Sequence, residues 1–184
     1  MTAVATSLAL LDEDPARAGA LFADIRAAIG RGRDRLEPSC LLVLDIDHYR
    51  ALIEDRGDET AHQALIRVAR TIVGLLPPGT PAARLGSDKF AALLNATGLR
   101  DALRLAETLR ATLAGLGVKP ELPSDPLSVS IGVADAVGLH GETPAAALER
   151  AGEALFRAKR EGRNRTKVAH PPRPLIPAGA RMPR

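Results

Sequence analysis

An α/β fold, with a mixed sheet of about five strands flanked by helices, is the expectation raised by three features of this chain. Apolar runs of strand length alternate with longer segments whose apolar residues recur at helical spacing. Two of the strand-like runs are separated only by Gly86 to Lys89, which makes an antiparallel hairpin within the alternating order. The length of 184 residues suits one compact domain with extensions at its ends.

The elements follow in order. Asp14-Pro15 reads as a helix start, an acidic cap before a proline whose missing N–H costs nothing at the first helical position. Ala18, Leu21, Phe22, Ile25, Ala28 and Ile29 then draw one apolar stripe, which fades at Gly30 and Gly32 and ends by Glu37-Pro38. The stripe suits packing on the chain's own sheet or pairing with a second copy. Cys40 to Leu44 is apolar without a break, as expected of a strand covered on both faces, and Asp45 and Asp47 stand at its end. A long helical pattern follows through Ala61, Leu65, Val68, Ala69, Ile72, Leu75 and Leu76 until Pro77-Pro78-Gly79 stops it.

The hairpin strands span Ala82 to Leu85 and Phe90 to Leu94. Next come a helix from about Leu99 to Leu116 and an alternating strand from Leu127 to Val133. A helix opens at Thr143-Pro144, and a last short strand covers Arg165 to Ala169. The ending HPPRPLIPAGARMPR has too much proline and too few apolar residues to fold, so a disordered tail is expected there. Three parts result: an extension with an amphipathic helix (1–39), a folded domain (40–169) and the tail (170–184).

Composition excludes several roles. The aromatic residues are Phe22, Tyr49, Phe90 and Phe156, too few for stacking on bases, so nucleic acid is not an expected partner. The net charge of +3 owes much to arginines near the C-terminal end, which read as a solvated basic tail. Cys40 is the single cysteine, expected to be buried and without a disulfide. The opening MTAVATSLALLDEDP lacks the positive charges of a signal sequence, and its apolar run is too short to span a bilayer. No membrane span and a cytoplasmic location are therefore expected.

The chemistry is concentrated in acidic residues at strand ends. If the hairpin lies beside the first strand, Asp45 and Asp88 face each other, and two carboxylates that close need a cation. Mg²⁺ suits such a place, since it takes oxygen ligands and is commonly shared with substrate phosphates. A structural reading stands beside it: carboxylates at turns are common, and Lys89 or Arg50 can supply the positive charge in the metal's place.

Four stretches carry a resemblance. DIDHYR at 45–50, ARLGSDKF at 83–90, SVSIGVA at 128–134 and ALFRAKREGRNR at 154–165 resemble, in order and spacing, the successive signatures of the GGDEF domain, the diguanylate cyclase family. In that family two GTP molecules on two facing domains are joined into cyclic di-GMP. The resemblance implies that Asp45 binds a divalent metal beside the Ile46 carbonyl, and that Asp88 is the second metal carboxylate and the catalytic one in an active member. It implies too that Gly86 admits the phosphates, with Arg50, Lys159 and Arg163 as phosphate partners.

The departures set the functional expectation. Where the family reads Gly-Gly-Asp/Glu-Glu-Phe, this chain has Gly86-Ser87-Asp88-Lys89-Phe90. Ser87 places a side chain where backbone should pass close to a phosphate. Lys89 exchanges a carboxylate for an ammonium, which weakens Mg²⁺ binding and offers a charge in its stead. The guanine-reading positions are Ile53 and His62, which cannot accept the paired donors of guanine N1 and N2. The family's inhibitory Arg-x-x-Asp falls on Pro77-Pro78-Gly79-Thr80 and is absent. The expectation is a degenerate GGDEF domain without cyclase activity and with a regulatory or protein-interaction role in cyclic di-GMP signalling. An active diguanylate cyclase and a non-catalytic GTP-binding sensor are the alternatives. The expected partners are GTP or a related nucleotide, a second copy, or another signalling protein.

Overall fold

The computed structural model describes residues 12–117, 127–136 and 143–169; the expected tail at 170–184 lies outside them. The elements are α1 (Pro15–Arg35), β1 (Cys40–Ile46), α2 (Tyr49–Leu75), β2 (Ala82–Arg84), β3 (Lys89–Leu94), α3 (Leu99–Ala114), β4 (Val129–Asp135), α4 (Pro144–Arg160) and β5 (Thr166–Val168). Both proline-marked helix starts are capped. Asp14 Oδ1 accepts from the Ala16 N–H at 2.9 Å, and Thr143 Oγ1 accepts from the Ala146 N–H at 3.2 Å.

The strands form one sheet in the order β2-β3-β1-β4-β5. β1 lies at its centre, antiparallel to β3 and to β4, while β5 runs parallel to β4 after the α4 crossover. Every residue of β1 is buried, which is what its unbroken apolar run requires. Alternation sends Leu42, Leu44 and Ile46 into a cluster with Leu65, Val68 and Ile72 of α2 and Leu109 and Leu113 of α3. Leu41 and Val43 pack instead with Leu21, Ile25 and Ala28 of α1 and Ala147, Ala151 and Leu155 of α4. The stripe of α1 is thus buried on the chain's own sheet. Full burial of side chains such as Leu21 and Ile25 contributes about 1.5–3 kcal/mol each.

One break was not visible in the periodicity. Within α2, Gly57 adopts φ 80° and ψ 165°, a conformation open essentially to glycine alone, so α2 is two helical pieces that meet at that residue. The C-terminal end of β1, the 86–88 turn, the start of β4 and the turn after α4 converge on one pole of the sheet. The register there pairs Asp45 with Lys89 on one side and with Ser130 on the other.

Candidate functional site

Asp45 shares its sheet face with Leu41 and Val43, and its side chain is only 4% exposed. Lys159, in the last turn of the helix covering that face, brings Nζ to 2.5 Å from Asp45 Oδ1. The contact is an ion pair between the ammonium and a buried carboxylate oxygen. Burial pushes the Asp45 carboxyl above the ordinary aspartate range. The Lys159 contact opposes this, the charge of Asp88 adds to it, and Lys89 pulls it down through space.

The hairpin is fixed by its backbone and by Arg84. The Leu85 N–H donates to the Lys89 carbonyl at 2.7 Å, and Arg84 donates to the carbonyls of Gly86 (2.9 Å) and Ser87 (2.6 Å). Arg84 also pairs with Glu13 at 3.3 Å, linking the turn to the segment before α1. The Ile46 N–H donates to the Asp88 carbonyl at 3.1 Å, so Asp45, Ile46 and Asp88 do come together. The Ser87 hydroxyl donates to Asp88 Oδ1 at 3.3 Å. At Gly86 an added Cβ would meet nothing within 4 Å, and φ is not in the left-handed region. Neither packing nor backbone strain demands glycine there; its effect is to leave space over the hairpin backbone.

The other expected site residues divide. Lys89 stands opposite Asp45 in register and lines a cleft of about 710 Å³ with Glu13, Phe22, Arg84 and Leu148, but the ammonium touching Asp45 is that of Lys159. Arg163 is exposed on the turn after α4. Arg50, 93% exposed, pairs with Glu54 at 3.1 Å and not with the carboxylate pole. Ile53 packs against the α2–α3 core, and His62 is exposed beyond the Gly57 break. Among the described residues no three His, Cys, Asp or Glu side chains gather in a way that could hold a metal ion.

Asp47 is the site residue to which sequence reasoning gave no separate role. Its carboxylate accepts from Ser128 Oγ (2.9 Å), Ser130 Oγ (2.7 Å) and the Asn164 N–H (2.9 Å). The alternating serines of SVSIGVA were the available signal.

The raised Asp45 pKa has a testable consequence for stability. Between the ordinary aspartate value and the raised one, the folded chain holds a proton that the unfolded chain has released, so stability falls as pH rises through that window. Asp45→Asn is therefore expected to raise Tm at pH 7.5, by about 2–4 °C for each kcal/mol relieved, with the gain disappearing near pH 4. Calorimetric scans at both pH values check this. A lower Tm for the variant at pH 7.5 would show that the Lys159 contact outweighs the cost of burial.

A mixed sheet whose central strand and neighbouring hairpin both bring a carboxylate to one pole is the architecture of a nucleotide-cyclase-like α/β domain. The chain belongs to the GGDEF family: residues 19–165 match the family described as diguanylate cyclase, GGDEF domain. It is 36% identical over 129 residues to the diguanylate cyclase DgcP of Pseudomonas aeruginosa, a match covering 70% of this chain and 19% of DgcP. The chain thus spans about a fifth of that relative's length. Among solved structures it is similar to the active GGEEF domain of a diguanylate cyclase from Vibrio cholerae, with a TM-score of 0.74 and 26% identity over 83% of this chain and 96% of that one. It is likewise similar to the GGDEF domain of DgcB from Caulobacter crescentus in complex with c-di-GMP, with a TM-score of 0.74 and 28% identity over 83% of this chain and 87% of that one. No helix among the described residues is long and apolar enough to cross a membrane.

Proposed function

We propose that this chain is a GGDEF domain of cyclic di-GMP signalling that does not condense GTP and acts as a regulatory or interaction module. One observation carries the reading: the buried carboxylate of Asp45 is held by Lys159 at 2.5 Å and faced in register by Lys89. Asp45, Asp88 and the Ile46 carbonyl are oxygen donors of the kind Mg²⁺ takes. The charge of buried Asp45, however, is already met by the Lys159 ammonium in contact with it and, through space, by Lys89, so these residues do not fit a resident divalent ion. At the expected guanine positions, Ile53 and His62 offer no carboxylate to the base. An outward aromatic supports the interaction role: Phe156 is 60% exposed, with the Arg160 guanidinium 5.8 Å from its ring centroid.

The test is incubation of the chain with GTP and Mg²⁺ or Mn²⁺, followed by chromatography. The expected result is neither cyclic di-GMP nor a linear dinucleotide intermediate; catalytic formation of cyclic di-GMP overturns the proposal.

A second reading, binding of a nucleoside triphosphate without turnover, is favoured by the open space over Gly86 and by the cations of Lys159 and Arg163 on the same pole of the sheet. Titration calorimetry with GTP separates it from the first. Saturable heat without product supports it, and no heat removes it.

A further inference from the structure

We propose that Asp47 is a positioning residue for anion binding: its carboxylate pins the turn after α4 in a left-handed conformation and thereby fixes where Lys159 and Arg163 meet the phosphates of a nucleoside triphosphate. The proposal deepens the triphosphate-binding reading and rests on it.

The turn has three consecutive residues at positive φ: Gly162 (114°), Arg163 (61°) and Asn164 (43°). The first is accounted for by helix termination. The Arg163 N–H donates to the Ala158 carbonyl at 3.0 Å and the Gly162 N–H to the Lys159 carbonyl at 3.4 Å, the paired bonds of a Schellman ending with glycine just past the cap. That ending does not require Arg163 and Asn164 to be left-handed. Arg163 is strained there, whereas asparagine enters the left-handed region more readily, so two such residues in succession persist best where their surroundings hold them.

Two tethers hold Asn164. Its backbone N–H donates to Asp47 Oδ2 at 2.9 Å, and its side-chain oxygen accepts from Arg110 Nη1 at 3.0 Å. Arg110 is itself oriented by Glu107 at 2.9 Å. Asp47 is 8% exposed and accepts its other two bonds from Ser128 and Ser130, so the carboxylate end of the tether is anchored at the sheet. Asp47 follows Asp45 by two residues, and Lys159 lies on the last turn of the helix that leads into the tethered turn. The carboxylate therefore holds the basic turn in a fixed relation to the end of β1 and to the hairpin bonded to it. Arg163 forms no ion pair among the described residues and is exposed, as a side chain awaiting an anion should be.

A purely structural anchor would hold the same turn for stability alone, and two variants tell the cases apart. Ser130→Ala removes one bond to the Asp47 carboxylate and leaves the Asn164 tether. Asp47→Asn weakens the tether itself. Inorganic tripolyphosphate is titrated calorimetrically into each full chain, with amide hydrogen exchange at Asn164 followed alongside. Asp47→Asn is expected to weaken binding about tenfold and to speed Asn164 exchange, while Ser130→Ala lowers Tm but binds within about twofold of the wild type. Binding that survives Asp47→Asn, or that falls equally in Ser130→Ala, overturns the proposal alone. No binding by the wild-type chain overturns the triphosphate reading and the proposal with it. Should Asp47→Asn not fold, Arg110→Gln severs the second tether from the helix side. Weaker tripolyphosphate binding with faster Asn164 exchange is then expected, and unchanged binding despite faster Asn164 exchange overturns the proposal.

Discussion

Gly132→Ala is expected to cost this protein about 3 kcal/mol or more of stability, close to the upper end for overpacking a core. Gly132 lies within β4 opposite Val43, where α4 crosses the sheet. A Cβ there would sit 2.0 Å from the Ala151 carbonyl oxygen and 2.5 Å from the Leu155 nitrogen. Both are helix backbone atoms, and neither can rotate aside. The helix comes so close because its inward residues Ala147, Ala151, Ala154 and Ala158 are small and fully buried. Admitting one methyl group means lifting α4, which uncovers Leu41 and Val43 and draws Lys159 from Asp45. A loss of that size lowers Tm by about 6–12 °C in a chain of this length. Gly86→Ala is the control, since its methyl meets open space, and is expected to change stability by no more than about 0.5 kcal/mol. Equal melting temperatures for Gly132→Ala and the wild type would show that α4 is not held against β4 as described.

The same contrast explains what could be read before the structure. Local chemistry was legible: the capped starts at Asp14-Pro15 and Thr143-Pro144, the doubly buried β1, and a hairpin too short to be anything else. From the end of β1 and the tip of the hairpin, the meeting of Asp45 and Asp88 follows once the two strands pair. What depends on how a helix crosses the sheet was not legible. The Asp45–Lys159 contact needs the tilt and height of α4, which no spacing encodes; Lys89, next to Asp88 in sequence, was the nearer candidate for the counter-charge. The three bonds of Asp47 come from residues 81, 83 and 117 positions away. Gly57 and Gly132 are alike as letters, each a glycine inside a periodic run. One breaks a helix at φ 80° and the other admits a helix backbone, and only tertiary structure separates these two uses.

Lys89→Glu is expected to create divalent-cation binding at the carboxylate pole without creating a cyclase. The register sets residue 89 beside Asp45, and Asp88 already acts on Asp45 electrostatically. A glutamate there would make a third carboxylate with only Lys159 in contact to balance the group. Charges that close cannot all stay ionised unless a cation joins them. Two unit charges about 5 Å apart interact by roughly 3 kcal/mol at the effective dielectric of a protein surface. Solvent screening at half-buried Lys89 reduces this, yet even about 1.4 kcal/mol is a tenfold change in affinity. Mn²⁺ titrations followed by electron paramagnetic resonance should therefore show binding at least about tenfold tighter in the variant than in the wild type. Melting adds an independent reading: the variant should be less stable than the wild type in metal-free buffer and should recover when Mg²⁺ is added. Unchanged Mn²⁺ affinity would mean that Lys159, already seated on Asp45, is the charge that keeps the cation out. Because Ile53 and His62 still offer guanine no paired acceptor, the metal-binding variant is expected to make no cyclic di-GMP, so metal capture and condensation would be recovered by different substitutions.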